Sequence, residues 1–332
     1  MITRREFMGA VAASAVIAPF TGFAQQQKLY RIAYLANDPT GTSPTYQALL
    51  AGLRELGWVE GKNLEMRYFA SGGRDDLFPR LAAQAVREKV DVIVTTGSGS
   101  TRAAKAATET IPIVFASGAN PVEQKFVASL ARPGGNVTGL ALMVQELGPK
   151  RLQLMKELLP RATRFGRLYQ NTTPAALQSA IISEDDAAAR ALGVTLQHIP
   201  IATKEDIETA ISAAARDRIE AINVKADALI VVNRAMVAQL ALEHRLPIMC
   251  ADARFVEAGA LMSYGENFVS RYRRAAFMVD KILRGVKPAD IPVEQSMVLE
   301  FVLNLRTAAA LDVNIPGPVL LQATRLIKRS DN

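Results

Sequence analysis

The run Val94-Thr95-Thr96-Gly97-Ser98-Gly99-Ser100-Thr101 leaves an apolar stretch, turns on two glycines and enters a segment of helical character. Such residues at this spacing suit the binding of a carboxylate or another acceptor. Backbone N–H groups at a helix start lack intrahelical partners, and the small Ser98, Ser100 and Thr101 let a ligand approach them. The pattern stops short of a nucleotide site: Arg102 stands where a dinucleotide fingerprint needs its third glycine, and no Gly-Lys-Ser/Thr ending follows. Taken alone, the run is better accounted for by a plain N-capped turn. Its place at the carboxyl end of a strand favours binding, because open α/β sheets hold ligands there.

Other reactive residue types are sparse. Cys250 is the single cysteine and ends the apolar stretch Leu246-Pro247-Ile248-Met249, which predicts a buried structural thiol and no intrachain disulfide. The two histidines, His198 and His244, lie in apolar or helical context, and no Cys/His/carboxylate cluster has metal-ligand spacing. Neither a Gly-x-Ser-x-Gly elbow nor a Ser-x-x-Lys pair occurs. Asp185-Asp186 reads as a solvated helix face rather than a catalytic pair. Catalysis, a metal and a cofactor are therefore not expected. The formal charge of +7 is mild, and basic residues alternate with acidic ones, as in Lys204-Glu205-Asp206 and Arg216-Asp217-Arg218. That mixed-sign pattern argues against nucleic-acid binding.

Two lobes must position any site. A chain of 332 residues, 49% hydrophobic and 21% charged, has apolar material for two cores. Short β-type runs alternate with helical spacing. Strands are expected at Arg31–Ala36, Leu64–Tyr68, Val90–Thr95 and Ile111–Ala116, with helices at Leu49–Leu56, from Arg74, at Ser100–Thr108 and at Val122–Leu130. The pattern restarts with a helix at Lys150–Leu159, a strand at Arg164–Tyr169, a helix at Pro174–Leu192 and a strand at Val194–Ile199. It continues with a helix at Glu205–Ala215, strands at Asp227–Val232 and Leu246–Met249 and a helix at Met236–His244 between them. A helix at Ser270–Leu283 and an extended Val298–Leu303 follow. Parallel strands need long crossovers, so these repeats call for α/β lobes with doubly wound parallel sheets. No low-complexity linker separates the halves, which suggests several close crossings between them.

The N-terminus predicts export. Arg4-Arg5 precedes an uncharged run from Gly9 to Phe20 and the exit Gly22-Phe23-Ala24, so residues 1–24 read as a signal peptide. Thr3-Arg4-Arg5-Glu6-Phe7-Met8 suits either a twin-arginine or a general secretory route. No lipobox cysteine follows, and no later apolar run is long enough to span a bilayer. A soluble periplasmic product without stable membrane insertion is expected.

Several segments, in order, resemble the tryptophan-binding-protein-like family of ABC transporter substrate-binding proteins. They include Gly52-Leu53-Arg54-Glu55-Leu56-Gly57-Trp58-Val59-Glu60-Gly61-Lys62-Asn63, Thr110-Ile111-Pro112-Ile113-Val114-Phe115-Ala116 and Ser129-Leu130-Ala131-Arg132-Pro133-Gly134-Gly135-Asn136-Val137-Thr138-Gly139. Later ones are Phe255-Val256-Glu257-Ala258-Gly259, Leu261-Met262-Ser263-Tyr264-Gly265 and Val279-Asp280-Lys281-Ile282-Leu283-Arg284-Gly285. The resemblance covers nearly all of the chain beyond residue 24. It implies a type I periplasmic-binding fold: two Rossmann-like lobes joined by three crossings, with a ligand between them. Lobe one would be residues 28–142 plus 259–292, and lobe two 143–258 plus 293–332. It also implies a monomer that serves an ABC permease and ATPase. Many relatives carry Gly-Asp-Pro-Val where this chain has Gly118-Ala119-Asn120-Pro121-Val122, so an acidic contact there does not carry over to Asn120.

A cleft built at the carboxyl ends of strands selects Asn37, Gly97, Ser98, Ser117, Asn171, Asn233 and Asp252, each small or polar and each after an apolar run. Ser98 and Ser117 would donate to a carboxylate or carbonyl, and Asn171 and Asn233 offer both donor and acceptor. Asp252 would hold an ammonium unless Arg254 neutralises it, which would suit the pocket to an acid. Tyr264 is expected to pack at the hinge, with packing on a ligand ring as the alternative. The expected ligand is a small carboxylate-bearing organic molecule, an amino acid or aromatic acid. A sensory partner of a membrane receptor, or a periplasmic enzyme, are the alternatives on the same fold.

Overall fold

The computed structural model describes residues 28–142, 144–171, 175–295 and 298–328. The expected signal peptide, residues 1–24, lies outside them. The first lobe opens with β1 (Tyr30–Ala36), α1 (Pro44–Glu55), β2 (Leu64–Ala70) and α2 (Phe78–Arg87). It continues with β3 (Val92–Thr95), α3 (Ser98–Ala107), β4 (Ile113–Ala119) and β5 (Val137–Leu142). The chain then builds the second lobe from α4 (Val144–Leu158), β6 (Arg164–Gln170), α5 (Ala175–Ala191), β7 (Thr195–Ile201), α6 (Asp206–Arg216) and β8 (Ala221–Val224). The lobe extends through α7 (Ala228–Val232), α8 (Arg234–Glu243), β9 (Ile248–Cys250), α9 (Ala253–Glu257) and β10 (Met262–Glu266). It returns with α10 (Phe268–Leu283) and β11 (Glu294–Gln295) to the first lobe, and ends in the second with β12 (Leu299–Asn304), α11 (Leu305–Ala310), α12 (Gly317–Gln322) and β13 (Arg325–Ile327).

The first sheet has six strands in the order β11-β5-β4-β3-β1-β2, all parallel. The second has seven in the order β13-β12-β10-β9-β8-β6-β7, with β12 antiparallel to β10. Helices cover both faces of each sheet, so a central strand must be apolar throughout rather than alternating. All four residues of β3 are buried accordingly. On one face of the first sheet, Ile32, Leu49, Leu53, Val94 and Val279 form a core with α1 and α10; on the other, Leu35, Phe78, Ala82 and Phe115 pack with α2 and α3. Gly52 lets α1 and α10 approach closely: a Cβ there would lie 2.8 Å from Ala276 Cβ and 2.9 Å from Arg273 O. Ser43 starts α1 by accepting from Tyr46 N at 3.3 Å, with Pro44 in the first turn.

The lobes are joined by three crossings, after Leu142, after Glu266 and after Gln295. Arg271, 1% exposed, braces them. Its Nε donates to Ala116 O at 2.7 Å, and its other nitrogens reach Leu140 O and the Glu266 carboxylate. One arginine on α10 thus ties the ends of β4 and β5 to the end of β10.

Four sequence expectations are corrected. Residues 259–266 belong to the second sheet: Met262 pairs with Met249 and with Leu303, and Ala260, Leu261 and Met262 continue that lobe's core. The return to the first lobe starts at Phe268 and runs through Gln295, because Glu294 and Gln295 pair with Leu140 and Ala141. Asp227–Val232 is no strand; β8 ends at Val224 and residues 228–232 form α7. A short buried apolar run does not reveal its own period. Val122–Leu130 is a chain of turns rather than a helix. Lys125 has a φ of 56°, and Phe126 N bonds back to Pro121 O at 2.8 Å, a geometry that sinks Phe126 and Val127 into the core. Asp185 is buried at 4% exposure and paired with buried Arg167 of β6, so only its neighbour Asp186 has the expected surface position, where it bonds His198 at 2.8 Å.

Candidate functional site

A cavity of about 210 Å³ lies between the lobes, lined by the carboxyl-terminal ends of strands from both sheets. The β1, β3 and β4 ends contribute Asn37, Gly97, Ser98 and Ser117; the β8, β9 and β10 ends contribute Asp227, Asp252 and Glu266. The Gly97-Ser98-Gly99 turn is held in place from behind. Ser100 Oγ accepts from Thr96 N and Gly97 N, each at 3.2 Å, and Thr96 Oγ1 donates to Leu35 O at 3.1 Å. Ser98 Oγ accepts from Gln124 Nε2 at 3.0 Å.

Tyrosines form one wall. Tyr34 stacks on Tyr68 with ring centroids 5.5 Å apart and meets Tyr46 at 4.9 Å and Tyr272 at 6.4 Å. Tyr34 sits in β1, Tyr46 on α1, Tyr68 in β2 and Tyr272 on α10, so a helix returning from the second lobe completes the cluster. Burial pushes the Tyr46 and Tyr272 phenols up to about 12, and raises Tyr34 and Tyr68 as well. All stay neutral at ordinary pH, and Tyr34, Tyr68 and Tyr272 line the cavity, with Tyr46 packed behind them.

Charges in the lining are largely paired. Arg254 Nε donates to both Asp252 oxygens, at 2.9 and 3.1 Å, and its guanidinium lies 5.6 Å from the Phe268 ring centre. Burial works against the Arg254 charge, and the Asp252 carboxylate more than offsets this, so its pKa rises. Lys225 pairs with Asp227 at 3.1 Å. Asp75, after β2, faces the start of α3: a Cβ on Gly99 would lie 2.7 Å from Asp75 Oδ2. Burial raises the Asp75 pKa, and the Asp227 charge across the cleft adds to the shift.

The lobes touch beside the cavity. Gly73, with a φ of 81°, abuts α7: a Cβ there would sit 3.2 Å from Leu229 Cα and 3.4 Å from Ala228 O. The cleft is closed at this point. Gly73 N also bonds Asn37 O at 3.1 Å, which links the contact to the cavity lining.

Of the residues selected from sequence, Asn37, Gly97, Ser98, Ser117 and Asp252 line the cavity, while Asn171 and Asn233 do not. Asn171 is exposed beyond β6, its N–H bonded to Ile201 O at 3.0 Å. Asn233 lies between α7 and α8 and spends its Nδ2 on Leu229 O at 2.8 Å, because the strand assumed before it is a helix. Asp252 lines the cavity with its carboxylate paired to the Arg254 guanidinium. Tyr264 lies in β10 beside the second crossing, edge-on to Phe301 at 6.1 Å. The tyrosine wall, Asp75 and Arg151 were missed. The only sequence signal for the wall was that an aromatic-poor chain spends four of its seven tyrosines at positions the topology brings together. Among the described residues, no group of three or more His, Cys, Asp or Glu could hold a metal, and no helix is long and apolar enough to cross a membrane.

Known proteins resemble this chain in sequence and in fold. The Tyrosine-binding protein of Clostridioides difficile (strain R20291) is 28% identical over 289 residues, covering 87% of this chain and 82% of its own. A conserved domain protein from Vibrio cholerae O1 biovar El Tor superposes with a TM-score of 0.82 at 29% identity, over 90% of this chain and 100% of that one. An ABC domain from Streptococcus pneumoniae, solved in complex with L-Trp, gives a TM-score of 0.81 at 24% identity, over 90% and 100% of the two chains, and shows the shared fold. The family model described as "ABC transporter substrate binding protein" matches residues 37–327. By its fold, its inter-lobe cavity and this match, the chain belongs to the ABC transporter substrate-binding proteins.

Proposed function

We propose that the chain is the extracytoplasmic receptor subunit of an ABC importer, and that its cleft takes a small carboxylate-bearing molecule, an amino acid or aromatic acid. The observation that carries this reading is the composition of one cavity shared by both lobes. Neutral tyrosine rings stand on one side, and helix-start N–H groups, hydroxyls and arginines stand around it. Such a lining matches a ligand with an apolar or aromatic body and a charged head. The Clostridioides relative is named for tyrosine and the pneumococcal neighbour was solved with L-Trp, which supports an amino-acid ligand here. Export by the N-terminal signal would place the mature monomer in the periplasm, where it would deliver ligand to a permease driven by an ATPase. It would release the ligand chemically unchanged.

A thermal-shift screen of the mature chain against amino acids, aromatic acids, sugars and nucleosides tests this. A ligand held only by the folded state raises the midpoint by mass action, about 2.7 kcal/mol at a hundredfold excess over Kd. The expected result is a rise with one or more amino or aromatic acids. A rise confined to sugars or nucleosides, or none at all, would refute the ligand class.

A further inference from the structure

We propose that Arg151, on the second-lobe side of the cavity, is the anion anchor: its guanidinium receives the carboxylate of the bound ligand. This deepens the amino-acid or aromatic-acid reading of the cleft and rests on it.

Arg151 lies on α4, two turns after the first crossing, and lines the cavity beside the apolar Leu147 and Ile181. It is 8% exposed. Its Nη1 donates to Tyr264 O at 3.3 Å, and its Nε is buried without a partner. No carboxylate among the described residues pairs with it. The other cations of the lining differ in this respect. Arg254 has Asp252, Lys225 has Asp227, and Arg102 feels the Asp75 charge while donating to Gln124 Oε1 at 2.8 Å. Arg167, whose charge bears on Arg151, is itself taken by Asp185. Burial, with Arg167 adding to it, lowers Arg151 only to about 10, so it remains charged at neutral pH.

A buried charge without a counter-ion is costly to a fold and is found where a ligand completes it. An arginine fork also matches a carboxylate geometrically, with two parallel N–H donors. The start of α3, which the sequence offers as the anion site, is less suited to that role, because the Asp75 carboxylate already faces its positive end. A ligand carboxylate would meet Asp75 there and an uncompensated guanidinium at Arg151.

The test compares the wild-type chain with Arg151→Gln and Arg151→Lys by isothermal titration with L-tyrosine, L-tryptophan, L-leucine and phenylacetate, and with tyramine and tryptamine as carboxylate-free counterparts. Crystals of the wild type soaked in bromide provide a readout independent of ligand identity and of variant folding. The expected result is that carboxylate probes bind the wild type and lose on the order of a hundredfold in affinity in Arg151→Gln, with partial rescue in Arg151→Lys. The difference between L-tyrosine and tyramine should largely vanish in Arg151→Gln, and bromide should sit against the Arg151 guanidinium. Carboxylate binding that is unchanged in Arg151→Gln, or bromide absent from Arg151, overturns the anchor. If no carboxylate probe binds the wild type while bromide occupies Arg151, the anion site stands and the amino-acid reading of the cleft falls.

Discussion

Replacing Gly73 should hold the lobes apart without damaging either. A Cβ at this position would lie 3.2 Å from Leu229 Cα and 3.5 Å from Val232 Cβ, so the closed cleft leaves room for alanine only after small adjustments. Leucine carries three further carbons past that point, into space held by α7. Overpacking of this kind costs about 1–3 kcal/mol. The open cleft does not incur it, so the cost falls on the closed, ligand-holding state alone and weakens binding by roughly 5–150-fold. A separate cost arises because the φ of Gly73 is 81°, where a side chain loses roughly 1–2 kcal/mol. Open and closed forms share that loss, so it lowers the melting temperature and not the affinity. Titration calorimetry with the amino or aromatic acid that most stabilises the wild type, run on Gly73→Ala and Gly73→Leu, separates the two. Alanine should bind within about threefold of wild type, leucine should fall in the 5–150-fold range, and small-angle scattering should show the leucine chain more extended. If leucine binds as tightly as alanine with unchanged scattering, closure does not depend on this contact.

Arg271→Met should destabilise the chain by about 3–5 kcal/mol, because it removes the arginine partner of buried Glu266 and the donor to Ala116 O and Leu140 O; urea denaturation reads this, and a loss under about 1 kcal/mol would mean the brace is dispensable. Asp75→Asn should raise the melting temperature at pH 7, since burial and Asp227 lift the folded-state pKa of Asp75 above its unfolded value and penalise the charged form. That penalty is relieved as pH falls through the raised pKa toward the ordinary value of about 3.9. The advantage of Asn should therefore shrink between pH 7 and pH 4, and a pH-independent difference would contradict the cause assigned to the shift.

The elements that could be read along the chain were those with a strong period or a clear terminus. β1, β3 and β4 are apolar because both sheet faces are covered, and α1 carries its cap and proline at its start. Errors came where an apolar run was short or tertiary contacts overrode it. Leu229, Ile230 and Val231 read as strand yet form α7, and Phe126 and Val127 reach the core from turns. Asp185 has the sequence context of a solvated helix face, yet it is buried against Arg167 of β6. In the site, Gly97 and Ser98 were legible because a glycine turn between strand and helix has a local signature. Arg151, Asp75 and the tyrosines were not, because nothing near them in sequence marks them.

Residue order by itself determined the class of fold and the strand ends at which a cleft could form, because hydrophobic period, caps and turn residues act over a few positions. Only the tertiary structure decided which of those ends meet. It turned Asn171 and Asn233 away, paired Asp252 with Arg254, gathered Tyr34, Tyr68 and Tyr272 from three elements, and left Arg151 Nε without a partner among the described residues. Charge compensation and ring packing are sums over neighbours brought together across hundreds of residues, and those neighbours are chosen by the three crossings between the lobes.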